Sequence, residues 1–110
     1  MFLLFNMPII DMQEDVDSWV SQFKTGYFKP LEMLAQMIEE VGELGRELNN
    51  RYGPRTKKSP EDTANIGGEI IDMVFNLICL ANSHNINLDK AMAGVLEKYK
   101  VRDNDRYKKM

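Results

Sequence analysis

The stretch Glu69-Ile70-Ile71-Asp72-Met73-Val74-Phe75-Asn76-Leu77-Ile78-Cys79-Leu80-Ala81 decides how this chain is read. Across residues 70–81, ten of twelve are apolar, and only Asp72 and Asn76 interrupt. Wound as a helix, the run is apolar on every side, which is the pattern of a buried helix. At about 100° per residue, Glu69, Asp72 and Asn76 fall within about 60° of one another. A narrow polar stripe therefore runs down an otherwise greasy element. Carboxylates in such surroundings require a partner, and a bound cation is one.

Upstream, Glu40-Val41-Gly42-Glu43 repeats the i,i+3 spacing, so these two acids also share a helix face. Taken alone, they read as a solvated surface: Glu39 and Glu47 extend it and Arg46 can neutralise it. Taken alone, Glu69 and Asp72 also admit a buried salt bridge. Both pairs together, on successive long helices, read as an oxygen-only cage for a hard divalent metal. Coulomb arithmetic agrees: two carboxylates about 4 Å apart repel by about 4 kcal/mol at an effective dielectric of about 20. Several such groups at one point must bind cations or take up protons.

Working outward, the chain reads as four helices. Residues 11–24 carry Val16, Trp19, Val20 and Phe23 at helical spacing, and Gly26 ends them. A second helix starts near Pro30 and runs to about Tyr52, with Leu34, Met37, Ile38, Val41, Leu44 and Leu48 as its apolar stripe. Gly53-Pro54 stops it, and a basic loop covers 55–58. Ser59-Pro60-Glu61-Asp62 has the pattern of a helix start, with a serine cap, an early proline and acids in the first turn. The third helix runs from there to about Ser83; Gly67 and Gly68 each weaken it by about 1 kcal/mol relative to alanine. The fourth starts near Leu88 behind an Asn87 cap, and Leu88, Ala91, Met92, Val95, Leu96 and Tyr99 form its stripe. Short links between four helices predict an all-α, four-helix-bundle-like fold. The third helix has more apolar faces than one chain can cover, which predicts a homodimer or homotetramer.

The chain has 110 residues, so one domain spanning 1–110 is expected. Net charge is −3 without a long basic block, which argues against nucleic acid as a partner. The single cysteine, Cys79, excludes an internal disulfide and fits a cytoplasmic location. No uninterrupted apolar run reaches the roughly 18 residues of a membrane span, so no membrane is expected. Residues 1–10 are apolar but lack a charged leader and a small-residue cleavage site, so they are not read as a signal peptide. They are either a hydrophobic arm or the result of an upstream start, Met7 and Met12 being the other candidates.

The run Glu39-Glu40-Val41-Gly42-Glu43-Leu44, followed after 25 residues by Glu69-Ile70-Ile71-Asp72, resembles the signature of the MazG-like nucleotide pyrophosphohydrolases. The resemblance covers about residues 19–102 and is nearest to the small, single-domain bacterial members. It implies an all-α MazG fold and hydrolysis of a nucleoside triphosphate to a monophosphate and pyrophosphate. It also implies a Mg2+ site, with Mn2+ as the other candidate, held by Glu40, Glu43, Glu69 and Asp72. A late lysine and arginine four residues apart contact the nucleotide in that family, and Lys98 and Arg102 stand at that spacing. Four positions depart from the pattern: Gly67 and Gly68 where further acids are common, Ile71 where a small residue is common, and Cys79 where asparagine is. The four ligand positions are intact.

Other residues are read as follows. Glu39 is the base that takes a proton from the attacking water, a group one layer out from the metal, or a surface glutamate. Trp19 and Phe23 share a helix face, as core packing or as a wall on which a base stacks. Asn76 contacts sugar, base or a metal-bound water, or makes a structural hydrogen bond. Cys79 is a small core filler, since no histidine is placed to activate it. The function expected is housekeeping pyrophosphohydrolysis of nucleoside triphosphates. The alternatives are phosphoribosyl-ATP pyrophosphatase, a dedicated dUTP or dCTP hydrolase, and a catalytically idle helical bundle that binds a protein partner.

Overall fold

The computed structural model describes residues 7–54 and 66–110. The basic loop at 55–58, the serine-capped start at Ser59 and the first six residues of the apolar arm lie outside them. Four helices are found, α1 (Ile9–Val20), α2 (Pro30–Tyr52), α3 (Ile66–Ser83) and α4 (Leu88–Asp103), with no strand among the described residues.

The first helix starts two residues earlier than its own sequence suggests. The amides of Ile9 and Ile10 donate to the two carboxylate oxygens of Asp89, at 3.2 and 3.1 Å. Free amides at a helix start favour a negative partner, and here it comes from α4. The same helix ends at Val20 rather than continuing to Lys24. Amides of Gln22, Phe23 and Gly26 instead donate to carbonyls three residues back, winding the segment into tight turns. Gly26 leaves those turns at φ +63°, a left-handed conformation that glycine adopts at little cost.

The boundaries of α2 are those expected, with Pro30 in its first turn and the Lys29 amide donating to Glu32 Oε1 at 2.9 Å. At the end of α3, Ile86 N donates to Ala81 O and Asn85 N to Asn82 O, with Asn85 at φ 56°. This double closure around a left-handed residue is a Schellman ending. Asn87 then caps α4, its Oδ1 accepting from Lys90 N at 3.1 Å.

Val20, Met33 and Cys79 form the core, with Val16, Tyr27 and Leu80 packed against them. The second helix packs along α3, α1 lies against α3, and α4 touches α1 more lightly. Gln13, only 4% exposed, ties three of these helices together. Its Nε2 donates to Asn82 Oδ1 and Ile86 O, and its Oε1 accepts from Leu88 N.

Burial departs from the sequence reading in two places. Among the described residues of the third helix only Ile78, Cys79 and Ala81 are buried, while Ile70 and Ile71 are 49% and 56% exposed. In α2, Leu34, Ile38, Val41 and Leu48 of the expected core stripe are exposed, whereas Glu40, Glu43 and Glu47 are half-buried. The acidic face, with Met33 at its head, is the one turned toward α3. The α4 stripe is likewise uncovered at Met92, Val95, Leu96 and Tyr99. The radius of gyration is 17.5 Å, against about 13 Å for a compact domain of this length. By length and composition alone α3 is apolar enough to cross a membrane. Its two carboxylates and its packing on α1 and α2 make it the central helix of this fold instead.

Candidate active site

Glu40 from α2 and Glu69 and Asp72 from α3 each present a carboxylate oxygen, and these oxygens lie within 4.8 Å of one another. The facing of α2 and α3 produces this cluster, because the i,i+3 spacing aims each pair along one face. Glu40 and Glu69 are half-buried; Asp72, expected to be buried, is exposed, and so is the adjoining Ile71. Glu43 stands outside the trio, its carboxylate ion-paired with the Arg46 guanidinium. Desolvation, and after it the charges of Asp72, Glu40, Glu43 and Glu47, push the Glu69 carboxyl above the usual carboxylate range. Glu47 Oε2 is buried without a hydrogen-bond partner among the described residues. Crowded negative charge and an orphaned carboxylate oxygen are the conditions a divalent cation relieves, and all the donors are hard oxygens. The residues thus fit a metal ion.

Glu40 and Asp72 also line a cavity of about 550 Å³. Trp19, Phe23 and Phe75 make its aromatic wall, with Trp19 edge-on to Phe23 at 5.0 Å and to Phe75 at 6.0 Å. Trp19 and Phe23 are about half exposed, so they face the cavity rather than fill the core. Tyr27 lines it too, held by its hydroxyl: Oη donates to Asp17 Oδ1 at 2.7 Å and accepts from Asn82 Nδ2 at 2.9 Å. Burial and the Asp17 carboxylate raise this phenol from 10.0 to about 12. Asn76 lines the cavity and donates from Nδ2 to Asp72 O at 3.0 Å. Cys79 sits at the core edge of the cavity, its thiol pushed up by burial, as befits a filler.

The remaining expected residues are not brought to the cavity. Glu39 is exposed, about 100° around α2 from Glu40. Arg102 donates to the carboxylate of Asp103, which it holds below the usual range, and lies 4.8 Å from the Tyr99 ring centroid. Lys98 Nζ is 5.9 Å from the same centroid, and neither cation lines the cavity. Sequence reasoning missed Phe75, Gln36, Tyr27 and the strained position of Glu47. Phe75 lies three residues after Asp72 and Gln36 four before Glu40, so helical spacing alone points to both. Tyr27 lies in the turns after α1 and gives no periodic signal.

Comparison with known proteins agrees with this fold. The MazG nucleotide pyrophosphohydrolase domain matches residues 28–107. Bacillus subtilis YpjD is 50% identical over 97 residues, covering 88% of this chain and 87% of that protein. The crystal structure of YpjD superposes with a TM-score of 0.78 at 47% identity, over 84% of this chain and 95% of that one. A Bacillus-conserved MazG protein, a nucleotide pyrophosphohydrolase, superposes at 0.75 with 43% identity, over 90% and 96%. The chain belongs to the MazG nucleotide pyrophosphohydrolase family, and it is a hydrolase with that family's all-α fold.

Proposed function

We propose that this protein is a Mg2+-dependent nucleoside triphosphate pyrophosphohydrolase that clears the cytoplasmic nucleotide pool, converting a (deoxy)nucleoside triphosphate and water to the monophosphate and pyrophosphate. One observation carries the reading: two of the three clustered carboxylates, Glu40 and Asp72, line the same cavity as the aromatic wall. An acidic cluster next to a base-sized apolar slot suits a ligand with polyanionic and aromatic ends.

Glu40, Glu69 and Asp72 hold the cation, with Glu43 beside them. Mg2+, or Mn2+ in its place, supplies charge neutralisation for the phosphates and a more acidic bound water. Trp19, Phe23 and Phe75 take the base, excluding water from its faces. Asn76 keeps its Oδ1 for the sugar or base. Lys98 and Arg102 supply positive charge to the phosphates when a second copy brings its α4 to the site. Pyrophosphate release from a nucleotide panel, with Mg2+ and with chelator, tests the reading. The expected result is strong release with Mg2+ or Mn2+, weaker release with Ca2+ and none under chelation. Full turnover under chelation overturns it. A single preferred substrate among phosphoribosyl-ATP, dUTP and dCTP would make the enzyme a dedicated one, and no turnover of any nucleotide would leave the idle bundle.

A further inference from the structure

Gln36 is the polar side chain of the cavity that no other task claims. It lies on α2 four residues before Glu40, so one helical turn, about 5.4 Å, separates it from the metal ligand on the same face. It is half-buried, lines the cavity, and has no hydrogen-bond partner among the described residues. Most other polar groups there are engaged, apart from Asn76 Oδ1 and the Thr25 hydroxyl. Glu40 and Asp72 belong to the carboxylate trio. The Tyr27 hydroxyl is held by Asp17 and Asn82, and Asn76 Nδ2 is given to Asp72 O. Thr25 is exposed in the turns after α1, whereas Gln36 is fixed on a long helix, where a recognition group is held more precisely.

In a nucleoside triphosphate the ribose sets the base one sugar length away from the α-phosphorus. A residue one turn beyond the metal ligand, inside the aromatic cavity, stands where the edge of a stacked base arrives. A carboxamide offers one donor and one acceptor side by side, the pair that a base edge also presents. We propose that Gln36 is a specificity-determining residue that reads the hydrogen-bonding edge of the nucleobase, while Trp19, Phe23 and Phe75 hold its faces. This rests on the nucleotide-hydrolase reading above.

Gln36→Met keeps length, helix preference and volume but removes both hydrogen-bonding groups. The test measures kcat/KM for the four nucleoside triphosphates with Mg2+ in the wild type and in this variant. Alongside it, the fluorescence of Trp19, the only tryptophan, follows binding of non-hydrolysable α,β-methylene triphosphates. The expected result is a preferred base in the wild type, and a loss for that base in the variant about tenfold larger than for the least preferred one. The same narrowing should appear in the binding constants. An unchanged ratio between bases, an equal loss for all of them, or a wild type without preference in binding overturns the proposal. Absence of pyrophosphate release from wild-type protein counts against the hydrolase reading alone, because the fluorescence titration still judges Gln36.

Discussion

Asp72 is exposed in its own chain yet shares a site with Glu40 and Glu69, and that combination defines its behaviour on substitution. Asp72→Asn preserves shape and removes one charge from a crowded cluster. Activity should vanish while the cation-free protein melts at the same temperature or higher, as at other sites strained for function. The stabilisation given by Mg2+ should shrink, since a ligand stabilises only what it binds. Thermal melts with Mg2+ and with chelator check both; a large loss of cation-free stability with an unaltered Mg2+ shift removes Asp72 from the ligand set. Lys98→Ala and Arg102→Ala should raise KM for triphosphate several-fold with little change in Tm, and unaltered kinetics in both variants would return them to the surface. At this scale the sequence was legible where spacing carries information. The trio of carboxylates follows from two i,i+3 pairs. The Glu43–Arg46 pair matches the neutralised face that the sequence allowed, whereas the pairing of Arg102 with Asp103 did not follow, because it is a local rotamer choice between sequence neighbours.

Helix ends show a second limit. The second and fourth helices were readable because Pro30, Gly53 and Asn87 act within their own few residues. The start of α1 was not, because its capping carboxylate belongs to Asp89 in another helix. Gln13 is a similar case: nothing in its own segment marks it as the tie between α1, α3 and the start of α4. Gln13→Leu strands Asn82 Oδ1, Ile86 O and Leu88 N and should cost about 2–3 kcal/mol in urea unfolding. A loss below about 0.5 kcal/mol would mean that water replaces the side chain freely. Tyr27 joins the same network, and its phenol is raised from 10.0 to about 12. Since the folded value is the higher one, its stabilising contribution is complete below pH 10 and is lost as pH climbs toward about 12. Phenolate absorbance should show one late-titrating tyrosine, and Asp17→Asn should bring that titration down by removing the repelling charge.

Over the whole molecule, the apolar side chains that one chain leaves uncovered gather on the outer faces of α2, α3 and α4. Leu34, Ile38, Val41, Ile70 and Ile71 alone exceed what scattered surface residues account for. The protein should therefore sediment as a dimer or tetramer at nanomolar concentration, and Ile38→Glu should weaken association by at least tenfold. A stable wild-type monomer would show that these faces serve something else. Taken alone, the carboxylate face of α2 reads from sequence as the outside and its leucine face as the inside. The reversal has a physical cause: periodicity reports that two faces differ, and only the partner, a cation or a second helix, decides which one turns inward.

The bond from Asp89 to the start of α1 spans 80 residues. Joining points so far apart along the chain carries a loop-closure entropy that local turns avoid. The contact between α2 and α3, with shorter loops to close, is therefore favoured to form earlier in folding, and α1 to settle late. What forms late with few contacts also opens first, so hydrogen exchange along α1 should run ahead of that along the inner halves of α2 and α3. The aromatic wall that Trp19 supplies is thereby placed on a more loosely latched part of the molecule than the acids.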